Sequence, residues 1–306
     1  AVKEAGLPVR VASADSAIEL GADWIELEWR QARNMAISGA KAVLVLDEIQ
    51  KVTQWSQTVK RLWDEDSWND TPLLVILSGS SSLLIGSGLS ESLAGRYELL
   101  RSTHWSLSEM SEAFDYNLSD YLEFGGYPGA AILKGDEDRW REYMRYSIVE
   151  STISRDVLQM ENVRKPALMR ALFELGAQYS AQELSYRKIL GQLDDKGNTD
   201  TIKHYLDLLS GAGMISGLQK FDDKPIKAKA SSPRLMVHDP ALMTSMWHGK
   251  GSLLEDPDLY GHLVETAVGS YLIARSAIDG FDLYWWRDGD LEVDFVLRRA
   301  QDIAAI

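Results

Sequence analysis

Short apolar runs alternate with amphipathic stretches through the first hundred residues. PVRVASAD (8–15) reads as a short strand, residues 16–38 mix acids and apolars in a helical manner, and Ala42 to Leu46 within KAVLVLDEIQK (41–51) form a solid apolar run. QWSQTVKRLWDED (54–66) sets Trp55, Val59, Leu62 and Trp63 at helical spacing, and TPLLVILSGSSS (71–82) is a further apolar run that breaks into serine and glycine. Runs this short and this apolar are buried parallel strands, and strands alternating with helices predict a mostly parallel sheet with ligands at its carboxyl edge.

Beyond residue 115 the strand pattern fades. YNLSDYLEFGGYPGAAILKG carries a Gly-Gly-Tyr-Pro-Gly break, and residues 139–161 read as one long helix. From Pro166 come a helix (PALMRALFELGAQ), a short helix (QELSYRKILGQLD), a turn at DDKGN, a third helix (TDTIKHYLDLLSGAG) capped by Asn198 or Thr199, and wing strands across 218–237. Three helices followed by a hairpin are a winged-helix signature. GHLVETAVGSYLIARS (261–276) is a last amphipathic helix, and FDLYWWRDGDLEVDFVLRRAQDIAAI reads as strands with an Asp-Gly turn at 288–289.

The chemistry concentrates where the run 42–46 ends in Asp47 and Glu48. Two acids at the end of a buried strand are either solvated or the Mg²⁺ carboxylate and water-activating carboxylate of a nucleotide triphosphatase. The second strand, ending in hydroxyls at Ser78 and Ser80, favours the catalytic reading. Asp47 then holds Mg²⁺ through water, Glu48 is the general base or positions the water, and Ser78, or after it Ser80, is the hydroxyl that senses the attacking water. A phosphate loop of the form G-x-x-x-x-G-K-S/T is not found in residues 1–306.

Composition narrows the rest. At 306 residues the chain holds two or three cores, and it has no cysteine for disulfides or thiolate metal sites. No apolar run reaches the roughly 20 residues of a membrane span, so a cytoplasmic protein is expected. A net charge of −14 argues against a coat for nucleic acid, although KFDDKPIKAKASSPR (220–234) carries five basic groups against two aspartates. The five histidines are scattered without ligand spacing.

Taken in order, VLVLDEIQK (43–51), LSGSSS (77–82), SLAGRYELLRSTHWSLSEM (92–110), GGYPGA (125–130), GHLVETAVGSYL (261–272) and LYWWRDGDLEVDFVL (283–297) resemble prokaryotic AAA+-like P-loop ATPases that carry a winged helix and a C-terminal PD-(D/E)XK nuclease-like domain. The resemblance implies an α/β fold: a P-loop AAA+-type parallel-sheet core over 1–115, a helical lid over 116–165, a winged helix over 166–237 and a small nuclease-like α/β domain over 238–306. It implies ATP and Mg²⁺ as cofactors, with hydrolysis driving the attached domains, and it places the phosphate loop shortly upstream of residue 1. Arg96 is then an arginine acting on the γ-phosphate in cis or from a neighbouring subunit, against the alternative of a surface ion pair with Glu91 or Glu98. Glu265 and Asp294 resemble the first two acids of the nuclease-like fold, whose E-x-K strand is expected just after IAAI; the alternative is a pair of structural acids on a binding platform. Glu292 is expected to face solvent. Lys220, Lys224, Lys227 and Lys229 are the wing lysines that would reach the phosphates of double-stranded DNA. A DNA-acting protein and a non-catalytic nucleotide-binding scaffold are the rival functions, and a protein partner or homo-oligomer fits any of them.

Overall fold

A computed structural model describes residues 6–16, 21–36, 41–79, 93–158, 163–193, 198–222, 231–248, 254 and 256–306. The chain divides into two compact units, Ala1–Leu99 and Leu100–Ile306.

In the smaller unit, β1 (Val9–Ser13), α1 (Ala22–Met35), β2 (Ala42–Asp47), α2 (Trp55–Trp68) and β3 (Leu73–Leu77) follow one another as the apolar pattern predicts. The sheet is parallel throughout in the order β1-β2-β3, with Val9 opposite Val43 and Val43 opposite Leu74. Two crossovers that step in one direction with the usual right hand put both helices on one face. There Ile25, Trp29 and Ala32 of α1 and Val59 and Leu62 of α2 pack in one cluster with Leu44 and Leu46 of the central strand. The helices are also cross-linked by a buried acid. Asp66 of α2 accepts from the Trp29 indole at 2.6 Å and from Arg33 Nε at 2.7 Å, both on α1, so its burial is fully compensated.

The larger unit begins with α3 (Leu107–Phe114), α4 (Leu118–Phe124) and the single turn α5 (Pro128–Ala131). Ser106 with Glu109 and Asn117 with Asp120 form capping boxes that start the first two helices. The expected long helix is present as α6 (Glu137–Glu142) continuing through Tyr143–Glu150 and Thr152–Val157, but the continuation has π rather than α register. The spacing of the core residues accounts for the change. Trp140, Met144, Val149, Ile153 and Val157 are all buried, and steps of four and five residues suit i→i+5 bonding better than a 3.6-residue turn.

Next come α7 (Pro166–Gln178), β4 (Gln182–Glu183), α8 (Tyr186–Gln192), α9 (Thr199–Gly211), β5 (Ile215–Leu218) and β6 (Arg234–Val237). Asn198 caps α9, its side chain accepting from the Thr201 amide at 2.7 Å. The three short strands form an antiparallel sheet in the order β4-β6-β5. After α10 (Pro240–Thr244), the helix α11 (Pro257–Asp279) leads into an antiparallel meander of β7 (Asp282–Asp288), β8 (Leu291–Arg299) and β9 (Asp302–Ala305). Its first hairpin turns on Gly289, at φ +58°, and Asp290, one residue later than the expected Asp-Gly turn, because Asp288 still pairs with Leu291. Trp285 is fully buried and Trp286 partly exposed, as two neighbours on one strand must be. No helix among the described residues is long and apolar enough to cross a membrane.

Candidate active site

The carboxyl edge of the parallel sheet gathers the predicted acids. Asp47 ends β2, and Ser78, one residue past β3, donates from Oγ to Asp47 Oδ1 at 2.7 Å. Backbone bonds fix the approach: the Ser78 amide donates to the Leu46 carbonyl at 2.9 Å, and the Ile49 amide to the Ser78 carbonyl at 3.2 Å. Glu48 takes left-handed backbone angles (φ 55°, ψ 35°). A non-glycine residue there is strained by about 1–2 kcal/mol, and such strain concentrates at functional sites. Because the chain leaves the extended region at Glu48, the alternation that would send neighbours to opposite faces stops at Asp47.

Three polar side chains that the sequence reading missed complete this edge. Gln50 Nε2 donates to Glu48 Oε2 at 2.9 Å, and Lys51 Nζ lies 3.1 Å from the same oxygen. Lys51 also pairs with Asp15, in the turn that follows β1. The bond to Asp15 above all, and that to Glu48, push the Lys51 ammonium above the ordinary lysine range. Lys51 was in view as the last residue of DEIQK, but a partner 36 residues away on another strand's turn leaves no local signature.

The other candidates fall as follows. Arg96 donates from Nε to Asp64 Oδ1 at 2.9 Å and lies over the Trp63 ring, both on α2, an ion pair that the sequence reading did not name; Glu91 lies outside the described residues. Ser80 lies outside the described residues, as do Lys224, Lys227 and Lys229. Lys220 sits over the Trp285 ring, 5.8 Å from its centroid. For Glu265 on α11, burial first and then the charge of Asp294 on β8 raise the carboxyl, while Arg234 and His262 lower it. Glu292 does not simply face solvent. It stands two residues before Asp294 and therefore on the same strand face, and both acids pair with Arg234.

A cavity of about 240 Å³ in the larger unit was also not foreseen; it is lined by His104, His238, Tyr121, Tyr271 and Arg275 among others. His104 Nε2 shares a hydrogen bond with the Tyr127 hydroxyl at 2.9 Å, and His238 Nε2 with Ser216 Oγ at 2.7 Å. Burial lowers His104 to about 4, and burial plus the neighbouring His104 lowers His238 to about 3. The adjacent Asp239 is shifted the other way, burial raising it to about 7. The unfolded chain therefore takes up two histidine protons below about pH 6.5 that the fold refuses, while the fold retains one carboxyl proton that the unfolded chain releases above about pH 3.8. Between pH 4 and 6.5 the balance is one proton in favour of unfolding. Stability should fall on acidification through this window, most steeply near pH 5 at up to about 1.4 kcal/mol per pH unit, and His238→Gln should flatten that slope. Denaturant midpoints at pH 4.5, 5.5 and 6.5 measure both.

Two family models match the chain. Residues 13–111 match one described as an AAA domain, the ATPase class that the motifs at 43–51 and 77–82 resemble, and residues 115–253 match one described as a domain of unknown function, DUF8612. An uncharacterized protein of Methanocaldococcus jannaschii is 26% identical over 274 residues, covering 83% of this chain and 58% of that protein. The chain thus spans a little over half the length of this curated relative. AMPPCP-bound DnaA from Aquifex aeolicus aligns with 91% of this chain and 75% of its own at 15% identity and a TM-score of 0.27. The AAA-domain match, with the acids of residues 47 and 48 inside it, makes a nucleotide-binding ATPase domain the class to which the smaller unit is similar.

Proposed function

We propose that the edge formed by Asp47, Glu48 and Ser78 is the catalytic acid centre of a Mg²⁺-dependent ATPase. The observation that carries this reading is the 2.7 Å bond from Ser78 to Asp47 at the carboxyl edge of a parallel sheet, beside a glutamate held in a left-handed turn. The donor set suits the ion: an oxygen-only site with one strand-end carboxylate, of which Ser78 fixes Oδ1 and leaves Oδ2 for a hydrated hard cation. When bound, Mg²⁺ neutralises charge on the phosphate oxygens of ATP. Asp47 holds the ion's water shell, and Ser78 fixes the Asp47 carboxylate. Glu48 takes the proton of the attacking water, with Gln50 and Lys51 setting its rotamer in the state described. Arg96 is held by Asp64 on α2 and would have to leave that ion pair to act on the terminal phosphate. Residues 1–306 hold no phosphate-loop motif, so this assignment concerns the acids alone.

In the same reading, residues 116–165 are the lid, 166–237 the winged helix and 238–306 the α/β domain that the ATPase moves. The order of α7, α8 and α9 with the sheet β4-β6-β5 supports the winged helix. DNA contact through the wing gains no support from Lys220, which is engaged with Trp285.

The test is nucleotide affinity with and without Mg²⁺, read with a fluorescent ATP analogue on the product of the complete gene. The wild type should bind more tightly with Mg²⁺, and Asp47→Asn should lose that Mg²⁺ dependence. An Asp47→Asn protein with the full dependence would refute the assignment.

A further inference from the structure

Arg234 is the one buried lysine or arginine among the described residues. It opens β6, and its side chain leaves that sheet for the meander β7-β8-β9. Nη1 donates to Asp294 Oδ1 at 2.8 Å, Nη2 pairs with Glu292, and the guanidinium lies 5.2 Å from the centroid of the Trp285 ring. Glu265 on α11 lies 3.7 Å from His262 Nδ1, and its carboxyl feels the charges of Asp294 and Arg234. Two acids of β8, Glu292 and Asp294, thus hold one guanidinium that arrives from a strand about sixty residues away in sequence.

The backbone makes the same junction. Beyond the end of β5, the Trp285 amide donates to the Gln219 carbonyl at 3.2 Å and the Phe221 amide to the Trp285 carbonyl at 2.7 Å. The Trp285 indole adds a bond to the Leu218 carbonyl at 3.1 Å. The segment following β5 therefore continues along β7, with Arg234 closing the junction from β6.

A divalent metal on Glu265 and Asp294 would need their oxygens at roughly 2.0–2.6 Å, free of other cations. Here Asp294 and Glu292 already turn oxygens to the guanidinium, whose buried positive charge would repel a metal across a poorly screened space. The residues present do not fit a metal of the nuclease-like kind.

We infer that Arg234 is the resident cation of this acid cluster, that it excludes a divalent metal from Glu265 and Asp294, and that it locks β6 to β8. The cluster is a structural joint between the three-helix module and the meander, and its acids have no hydrolytic role.

Nucleotide-free Mn²⁺ titration of the whole chain, followed by electron paramagnetic resonance, tests the exclusion. Wild type, Asp294→Asn and Glu265→Gln should bind the same number of Mn²⁺ ions with the same affinity; loss of a Mn²⁺ site in either variant overturns the inference. Hydrogen exchange at the Phe221 amide tests the lock. Arg234→Met strands two carboxylates, and exchange should accelerate by on the order of tenfold or more. Asp294→Asn keeps the volume and carries the same test if Arg234→Met does not fold. Unchanged protection of Phe221 in a folded variant overturns the lock.

Discussion

Replacing Gly125 with alanine is expected to abolish cooperative folding of the larger unit. Gly125 sits at φ +66°, where an L side chain is already strained by about 1–2 kcal/mol. The added Cβ would also overlap Asp239 Oδ1 and lie 2.6 Å from Ala241 Cβ and 2.7 Å from the Ala241 amide. Asp239 cannot move aside, because it is fully buried and both its carboxyl oxygens accept from backbone donors, Gly126 N and Ala241 N, each at 2.8 Å. Breaking those bonds leaves buried donors unmet at about 1–3 kcal/mol each, so the sum reaches the 5–15 kcal/mol by which domains are stable at all. Gly135 supplies the control: it has open space around its Cβ position, and Gly135→Ala should stay within about 0.5 kcal/mol of wild type. Denaturant midpoints of the two variants decide it; a Gly125→Ala protein within about 1 kcal/mol of wild type would show that the cradle yields.

This cradle marks the limit of what the sequence made legible. The Gly-Gly-Tyr-Pro-Gly break announced a turn, and Pro128 does open a helix, but the need for glycine comes from Asp239, 113 residues from Gly126. The parallel strands were readable because their apolar runs are unbroken, but only β2 is buried along most of its length; β3 leaves Leu74 and Ile76 exposed on one face. The helices of the 166–211 region were readable because their faces repeat and Asn198 marks a start. Local chemistry was readable too: strand-end acids at 47 and 48 and a hydroxyl at 78 are adjacent once the sheet is drawn. Partners set by tertiary packing were not. Lys51 to Asp15, Arg96 to Asp64, Arg234 to Asp294 and the convergence of His104 with His238 on one cavity join residues 32 to 134 positions apart, with no periodicity to betray them. The π register of 143–157 was present in the four- and five-residue steps of the core positions, but an α-helical template absorbs such steps unnoticed.

The largest functional effect is expected at Glu48. Its carboxylate follows the Mg²⁺-ligand candidate directly in sequence, on a left-handed backbone that turns the chain away from the strand. Glutamine keeps the volume and can still bond to neighbours, but it cannot accept a proton from water. Removing a general base lowers turnover by about 10²–10⁴, while the interactions that hold nucleotide are left in place. Asp47 behaves differently, since its loss acts on the Mg²⁺ dependence of binding.

The decisive measurement is Mg²⁺-dependent ATP hydrolysis by the complete gene product, wild type beside Glu48→Gln, with bound nucleotide measured on the same samples. A loss of about 10²–10⁴ in turnover with nucleotide affinity retained is the predicted result. A Glu48→Gln protein that hydrolyses ATP at the wild-type rate, or a wild type with no Mg²⁺-dependent hydrolysis at all, would contradict the account.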